Sequence, residues 1–125
     1  MKRIILALVC ICASLNARVL DLSEFLSQKS LSVALANKTV IIKCWMNGCP
    51  PCMRMRPLFE KVAEKYADGS IVFIDCNIQE DRGLISETYQ VYSVPTLLVF
   101  KNNELIHRST GFQSQKNIEN LVRSL

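Results

Sequence analysis

The feature that most constrains the fold is a pair of apolar, β-branched runs with a helical pattern between them. The runs are TVIIKCW, at 39–45, and SIVFIDC, at 70–76. Such nearly continuous apolar runs are typical of strands buried on both faces of a parallel sheet. Between them one helical face is apolar at positions 55, 58, 59, 62, 63 and 66, and Asp68-Gly69 ends the pattern. This order predicts a βαβ unit with a right-handed crossover.

Weaker patterns flank this unit on its N-terminal side. A short strand is predicted at 18–20, followed by a helix at 21–29 with Asp21 as its N-cap. The stretch at 30–36 either continues that helix or forms a separate turn.

On the C-terminal side the sequence predicts a helix, a hairpin and a last helix. The helix is expected at 80–89, and two strands at 96–101 and 105–110 are joined by a pair of asparagines. Because asparagine tolerates positive φ, this pair suits a type I′ turn. Ser114 can cap the last helix. With the βαβ unit, these elements predict a single α/β domain whose mixed central sheet has helices on both faces.

The N-terminal segment has the layout of a secretory signal peptide. Two basic residues precede an apolar run at 4–13, and small and polar residues lead to a cleavage position after Ala17. The apolar run is shorter than the roughly 20 residues that a membrane span needs. We therefore predict a signal peptide at 1–17 and a folded domain at 18–125, exported to the periplasm or another extracytoplasmic compartment. The alternative is an uncleaved apolar segment that packs on a cytoplasmic domain.

Composition and charge exclude several other classes of protein. Half of the residues are hydrophobic and 21% are charged, which indicates a globular rather than a disordered chain. The formal net charge is +4, and it would be +2 after cleavage. The basic residues form no stripe with interleaved aromatics, so a nucleic-acid partner is not indicated.

The motif that carries chemistry is Cys49-Pro50-Pro51-Cys52, placed between the first buried strand and the following helix. A Cys-x-x-Cys near a βαβ pattern favours a redox dithiol. At the start of a helix, free N–H groups and the positive end of the helix dipole stabilise a thiolate, which is the attacking species in disulfide exchange. Cys52, one turn further on, can reach the sulfur of Cys49 and resolve a mixed disulfide.

Two other uses of this motif are weaker. A structural zinc site needs four ligands, and Cys44, Cys76 and His107 do not form a second close pair that would complete one. Cys44 and Cys76 lie in apolar strands, which favours two core thiols over a disulfide between them. A purely structural Cys49–Cys52 disulfide would constrain the unfolded chain little, because its loop is short. We therefore predict no metal site.

The two prolines bear directly on thiolate stability. Proline is tolerated in a first helical turn, since the N–H groups there have no partner within the helix. Yet those N–H groups are the ones that would stabilise a Cys49 thiolate. Pro50 and Pro51 remove two of them, leaving chiefly the N–H of Cys52.

At this point the sequence resembles the thioredoxin family, from about position 18 to 125. The residues that carry the resemblance are Trp45, Cys49, Pro51, Cys52, Pro57, Val94-Pro95-Thr96, FKNNE at 100–104, and Gly111. The resemblance implies the thioredoxin fold and a thiol–disulfide oxidoreductase without a cofactor. It also implies a redox-active Cys49–Cys52 disulfide, with Cys49 as the exposed nucleophile and Cys52 as the buried resolving thiol.

The resemblance further implies where substrates bind. The Val94-Pro95 bond would be cis, Pro95 would pack against the dithiol, and the backbone of Val94 would pair with an extended substrate segment. Trp45, Gly48 and Gly111 would border the same surface.

The sequence departs from the family pattern at four positions. Gly48 stands where a tryptophan is usual, which removes a flat apolar surface beside the nucleophile, and Pro50 stands where a glycine is usual. Lys43 stands where the family has a buried aspartate, and Asp75 where many bacterial members have a lysine. If their strands are neighbours, Lys43 and Asp75 form the same ion pair with the charges exchanged. Otherwise Lys43 extends to a sheet edge.

The way in which these charges would act is left open by the sequence. Near the dithiol, a charged Lys43 would favour a thiolate, whereas an uncharged one could accept a proton. Arg54 and Arg56 either add positive potential at the site or are solvated helix residues.

The resulting expectation is a monomeric oxidoreductase that acts on disulfides or thiols of protein substrates, as a reductase or isomerase rather than as a strong oxidant. If the protein is exported, a membrane-borne thiol protein is the expected electron partner. Two alternatives are a redox-inert peptide-binding module and a carrier of a soft cation such as Cu(I).

Overall fold

A computed structural model describes residues 19–66 and 68–125 of the chain. The predicted signal peptide at 1–17 lies outside the described residues, so it and the domain boundary remain predictions. Within the described part, no helix has the length and apolar character needed to cross a membrane.

The described residues form five strands and four helices. In chain order these are β1 (Leu20–Asp21), α1 (Leu22–Leu26), α2 (Leu31–Leu35), β2 (Thr39–Trp45), α3 (Pro50–Lys65), β3 (Ile71–Asn77), β4 (Thr96–Lys101), β5 (Glu104–Thr110) and α4 (Gln115–Arg123).

The sheet is mixed, as the sequence predicts. Its strand order is β1-β3-β2-β4-β5. Strand β2 pairs with β3 in parallel and with β4 antiparallel, so it lies at the centre. The βαβ unit is therefore confirmed as β2-α3-β3, and the hairpin as β4-β5.

Helices cover both faces of this sheet and bury two apolar clusters. One cluster joins α3 and α4 to the sheet through residues such as Phe59, Phe73 and Ile118. The other joins α1, α2 and the segment before β4 to the opposite face, through residues such as Leu35 and Phe100. Because side chains alternate along a strand, each central strand contributes to both clusters.

The hairpin and the last helix form at the positions that their turn and capping residues predict. Asn102 and Asn103 both have positive φ, of 48° and 66°, which is the backbone conformation of the predicted type I′ turn. The hydroxyl oxygen of Ser114 accepts a hydrogen bond from the Asn117 N–H at 3.1 Å and so caps α4.

One predicted helix boundary was wrong. Helix α1 ends at Leu26 rather than at 29, because Ser27 and Gln28 adopt left-handed conformations. The stretch after it forms the separate helix α2 instead of continuing α1. Helix α3 ends at Lys65, before Asp68-Gly69.

The predicted helix at 80–89 is also wrong, since this segment is a series of turns. The Asp81 carboxylate accepts hydrogen bonds from the N–H groups of Gly83, Ile85 and Ser86, at 2.9, 3.2 and 2.8 Å. Arg82 and Gly83 have positive φ, which a right-handed helix cannot contain. At Gly83, Ile85 and Ser86 the Asp81 side chain therefore takes the place of the carbonyl acceptors that a helix would provide.

Asp81 also ties these turns to the sheet. Its carboxylate accepts further hydrogen bonds from the Ser86 hydroxyl at 3.0 Å and from the Cys76 thiol at 3.7 Å. Burial acts to raise the pKa of Asp81, but the hydrogen bonds from Ser86, Gly83 and Ile85 together outweigh it and hold that pKa below its ordinary value.

We expect Asp81→Asn to lower the free energy of unfolding by about 1–3 kcal/mol at pH 7, because one acceptor oxygen is lost and buried N–H groups lose their partner. The folded-state pKa of Asp81 is lowered, so the stabilisation is complete above the unfolded value of about 3.9 and is lost as pH falls through the folded value. Urea unfolding between pH 7 and pH 3 should show the difference from wild type shrinking. Glu64→Gln, at an exposed position, is the control. A difference that does not depend on pH would contradict this assignment.

Candidate active site

The two cysteines of the motif lie where the central strand meets the longest helix. Cys49 follows β2 as the N-cap of α3, and Cys52 lies in the first turn of that helix. They form the predicted disulfide, with a distance of 5.3 Å between their Cα atoms. Both cysteines are thus held at one end of the sheet by the βαβ unit.

The first turn of α3 offers the Cys49 sulfur few backbone donors. The N–H of Cys52 donates to Cys49 Sγ at 3.2 Å. Pro50 and Pro51 occupy the first two helical positions and have no N–H. Within the described first turn, only the backbone N–H of Cys52 therefore donates to this sulfur.

The segment before β4 lies against the dithiol. The peptide bond between Val94 and Pro95 is cis, and the carbonyl oxygen of Val94 is 3.9 Å from Cys49 Sγ. Gly111 donates its N–H to the Pro95 carbonyl at 2.8 Å, and the Thr96 hydroxyl donates to the Ser93 carbonyl at 2.8 Å. These bonds fix the backbone of Val94 beside Cys49.

The exposure of the two cysteines differs from the expectation. Cys49 is 8% exposed and Cys52 is 3% exposed, so both are buried in the disulfide form. Cys49 remains the more accessible of the two. Its sulfur is covered on one side by the Val94 carbonyl, which accounts for the small accessible area.

The turn before Cys49 is held by contacts from the loop after β3. The Trp45 carbonyl accepts from the Ile78 N–H at 2.9 Å, and the Asn47 N–H donates to Gln79 Oε1 at 3.0 Å. Gly48 has φ of +74°, a conformation that a tryptophan would adopt only with strain. The sequence patterns did not indicate the contact between Asn47 and Gln79, which lie far apart in the chain.

The exchanged ion pair predicted for Lys43 and Asp75 is present. The two residues are directly opposite each other on β2 and β3, and Lys43 Nζ lies 2.9 Å from Asp75 Oδ1. Lys43 is only 2% exposed, and its Nζ also lies 5.4 Å from the centre of the Phe59 ring. Lys43 therefore ends inside the protein and not at a sheet edge.

One oxygen of the carboxylate in this pair lacks a hydrogen bond. Asp75 Oδ1 is buried and has no hydrogen bond of acceptable geometry, although the lysine is close. Burial raises the pKa of Asp75, and the charge of Lys43 opposes that rise.

This ion pair and the dithiol share a cleft of about 290 Å³. Cys52 lines it, so the largely buried ion pair borders the same space as Cys52. Of the two arginines considered from the sequence, Arg56 borders the cleft and Arg54 does not. The other residues that line the cleft are Trp45, Met46, Asn47, Gly48 and Met53.

The remaining candidates lie away from this chemistry. Cys44 and Cys76 are free, buried and opposite each other on β2 and β3, as the core interpretation predicts. A hydrogen bond with Cys44, and then burial, raise the pKa of the Cys76 thiol. His107 is exposed, and its Nε2 is 2.6 Å from Ser109 Oγ. Within residues 19–66 and 68–125, no group of three or more His, Cys, Asp or Glu side chains is placed to hold a metal ion.

Sequence reasoning missed three exposed apolar side chains: Met53 in α3, directly after Cys52, Tyr92 in the loop before β4, and Phe112 in the loop after β5. An isolated apolar residue in a loop or off the buried face of a helix carries no periodic signal, so its exposure is visible only in the folded chain.

Comparison with known proteins gives a consistent result. A family model described as Thioredoxin matches residues 22–124. The thioredoxin of Mycoplasma genitalium is 32% identical over 103 residues, which cover 82% of this chain and 98% of that protein. The chloroplastic F-type thioredoxin of Spinacia oleracea is 35% identical over 86 residues, covering 69% of this chain and 44% of that protein.

Solved structures agree in fold. A thioredoxin from Malassezia sympodialis superposes with a TM-score of 0.72 at 24% identity, covering 86% of this chain and 90% of that one. Thioredoxin F from spinach chloroplast gives a TM-score of 0.67 at 20% identity, covering 89% and 93%. These likenesses confirm the thioredoxin fold.

The family match covers most of the chain, including the dithiol at the start of α3 and the segment that carries the Val94 carbonyl. Cys49 and Cys52, three residues apart in the chain, form the disulfide that thiol–disulfide exchange would open and close. The chain therefore belongs to the thioredoxin family and is a thiol–disulfide oxidoreductase.

Proposed function

We propose that this oxidoreductase reduces or isomerises disulfides in protein substrates and is not a strong oxidant. The observation that carries the proposal is the single backbone N–H, from Cys52, on Cys49 Sγ. A strongly oxidising dithiol owes its potential to a well-stabilised thiolate in the reduced form. With Pro50 and Pro51 in the first turn, the thiolate here has fewer donors, which favours the disulfide form and makes the reduced pair a better electron donor.

In the proposed cycle, the Cys49 thiolate attacks one sulfur of a substrate disulfide. A bond forms between Cys49 Sγ and that sulfur, and the second substrate sulfur leaves as a thiolate and takes up a proton. Cys52 then loses its proton and attacks Cys49 Sγ. The Cys49–Cys52 disulfide forms, and the substrate leaves with both of its sulfurs reduced. Two electrons have passed from the protein to the substrate.

The backbone beside the dithiol supports binding of an extended substrate. The carbonyl of Val94 lies 3.9 Å from Cys49 Sγ, and its neighbours are anchored through Gly111 and Thr96. A substrate strand that pairs with Val94 would bring its own cysteine to Cys49. Trp45 and Gly48 lie on the other side, along the cleft.

Insulin-disulfide reduction with dithiothreitol tests the activity. We expect the wild-type chain to accelerate insulin precipitation, Cys49→Ser to show the uncatalysed rate, and Cys52→Ser to accumulate a mixed disulfide without turnover. Cys44→Ala, which removes a buried thiol outside the site, is the matched control and should remain active. If wild-type protein reduced insulin no faster than Cys49→Ser does, the result would favour the redox-inert binding module.

Restoring a backbone donor tests the effect of the prolines. We expect Pro50→Gly to lower the pKa of Cys49 and to shift the equilibrium with glutathione about tenfold toward the reduced pair, since a hydrogen bond to a charged group is worth about 1.5–3 kcal/mol. Thiolate absorbance against pH gives the pKa. Pro50→Ala, which restores the same N–H with less backbone freedom, should behave alike. An unchanged or raised pKa in both variants would refute the proposal.

The buried ion pair is proposed to tune the same equilibrium. Lys43, Asp75 and Cys52 line one cleft, so removing either charge changes the electrostatic potential at the Cys52 sulfur. We expect Asp75→Asn to make the dithiol more oxidising and Lys43→Met to make it more reducing, measured against glutathione. Shifts in the same direction would contradict an electrostatic effect.

The same variants report on stability. Lys43→Met should lower the free energy of unfolding by about 3–5 kcal/mol at pH 7, because it leaves a buried carboxylate unpaired. The pKa of Asp75 is raised, and protonation removes the charge of its carboxylate. The loss of unfolding free energy caused by Lys43→Met should therefore become smaller as pH is lowered. In urea unfolding, the double variant should be more stable than the sum of the two single changes predicts.

Export is proposed from the N-terminal segment alone. Cleavage after Ala17 would leave Arg18 as the first residue, which sequencing of the mature protein's N terminus would show. An exported dithiol would receive electrons from a membrane-borne thiol protein, and we propose that it acts as a monomer. An intact N terminus would favour the cytoplasmic alternative.

A further inference from the structure

The turn before Cys49 contains the one Asn-Gly pair of the chain, Asn47-Gly48. In such a pair, the backbone nitrogen of the glycine can attack the side-chain amide carbon of the asparagine, because glycine has no Cβ to shield that nitrogen. The attack closes a cyclic imide and releases ammonia, and water then opens the ring to isoaspartate or aspartate. A pair in a folded protein reacts when the asparagine is exposed, its side chain can rotate and the glycine N–H is not donated elsewhere.

The side chain of Asn47 is exposed and free to rotate. Both Asn47 and Gly48 are exposed. The backbone N–H of Asn47 donates to Gln79 Oε1 at 3.0 Å, whereas its side-chain amide has no hydrogen-bond partner among the described residues. The backbone on this side of the reacting bond is therefore anchored, while the amide carbon can turn toward the next peptide nitrogen.

The N–H of Gly48 is also available, since it has no acceptor among residues 19–66 and 68–125. At other asparagines the corresponding N–H is already used by the fold. It is donated by Lys38 to the Leu35 carbonyl at 3.4 Å, by Ile78 to the Trp45 carbonyl at 2.9 Å, and by Ile118 to the Ser114 carbonyl at 3.0 Å. Attack by any of these nitrogens would first break a hydrogen bond.

The turn itself requires the glycine that makes Asn47 reactive. Gly48 has φ of +74°, which other residues adopt only with strain. A Cβ added to Gly48 would meet nothing within 4 Å beyond its chain neighbours, so the space around the pair is open for ring closure. A reactive Asn-Gly pair is thus a consequence of the backbone that leads from β2 into α3.

A carboxylate at position 47 would change the charge of the cleft beside the dithiol. Asn47 lines this cleft together with Cys52, and the charged groups that border it are Lys43, Arg56 and Asp75. Lys43 is already matched by Asp75 at 2.9 Å. An added negative charge would therefore disfavour a thiolate at the dithiol.

Isoaspartate would also change the backbone. It places one additional methylene in the main chain between residue 47, which is held by Gln79, and Cys49, which is the N-cap of α3. Because both ends of this short connection are fixed, the added length has to displace the turn before Cys49.

We propose that Asn47-Gly48 is a site of spontaneous deamidation, and that conversion of Asn47 to isoaspartate or aspartate slows disulfide reduction by the adjacent Cys49–Cys52 pair. The modification rests on the turn alone, whereas its effect on the dithiol rests on the proposed function.

The proposed reaction needs only water. The Gly48 nitrogen loses its proton and forms a bond to Asn47 Cγ, the bond from Cγ to the amide nitrogen breaks, and ammonia leaves. Water that adds to the backbone carbonyl carbon of the imide gives isoaspartate, and water that adds to Cγ gives aspartate. One water is consumed for each ammonia released, and no electrons are transferred, so no oxidant or reductant takes part.

Incubation of the oxidised full chain at neutral and at mildly alkaline pH tests the modification. Trypsin then separates Asn47, in the peptide 44–54, from Asn37, in the peptide 30–38, and mass spectrometry with electron-transfer fragmentation distinguishes isoaspartate from aspartate. We expect Asn47 to deamidate at least about tenfold faster than Asn37, which is not followed by glycine. The rate should rise with pH, because the attacking nitrogen has to lose its proton.

Insulin reduction by the same samples, fully reduced again before the assay, tests the effect on the dithiol. Wild type should lose activity in proportion to the converted fraction of Asn47, whereas Asn47→Gln, which would need a larger ring, should keep its own starting activity. Asn47→Asp should start with kcat/KM lower by about two- to fivefold and with the glutathione equilibrium shifted toward the disulfide by a similar factor. The matched control Asn37→Asp adds the same charge before β2, at the other end of that strand, and should match wild type.

The outcomes separate the two proposals. If Asn47 reacted no faster than Asn37, the deamidation site would be wrong. The effect on the dithiol would be wrong if Asn47→Asp were as active as Asn37→Asp, or if Asn47→Gln lost activity as fast as wild type. Fresh wild-type protein that does not reduce insulin would overturn the proposed function, and the peptide masses would still decide whether Asn47 is the site of deamidation.

Discussion

The site depends on the pairing of the central strand β2 with a neighbour on each side. Parallel pairing with β3 sets Lys43 opposite Asp75, and antiparallel pairing with β4 brings the Val94–Pro95 segment to the same end of the sheet. The strand then leads directly into α3, so Cys49 becomes the N-cap of a helix. Cys49, the Val94 carbonyl and the Lys43–Asp75 pair lie at one end of the sheet because one central strand is hydrogen-bonded along both edges.

The electrostatics of the dithiol combine an unusual helix start with an unusual ion pair. Pro50 and Pro51 reduce the number of N–H groups that a helix N-terminus would normally offer to a thiolate. The cleft contains Arg56 and a lysine whose charge is matched by a partly buried carboxylate. Such a pair contributes little net stability while it is intact, but removing one partner leaves an uncompensated charge. Because the pair lines the same cleft as Cys52, we propose that it adjusts a proton equilibrium more than it stabilises the fold.

How far the sequence predicted the structure varies with the kind of signal. The βαβ unit, the hairpin at Asn102-Asn103 and the cap at Ser114 follow from local patterns, and all formed as predicted. The segment at 80–89 did not, because its apolar spacing resembles a helix while the Asp81 side chain takes the backbone N–H groups that a helix would use. The exposure of Met53, Tyr92 and Phe112 had no signal in the sequence, since these residues lie in helix α3 and in two separate loops.

The sequence by itself determined the chemistry and the fold class. The Cys-x-x-Cys spacing at a helix start, the buried strands and the two prolines are local facts that any fold of this chain must accommodate. Tertiary structure decided which distant groups meet at the dithiol: the Val94 carbonyl lies 3.9 Å from Cys49 Sγ, and Lys43 and Asp75 line the same cleft as Cys52. The physical reason is that strand register and loop anchoring bring together residues far apart in the chain, and no local pattern encodes such proximity.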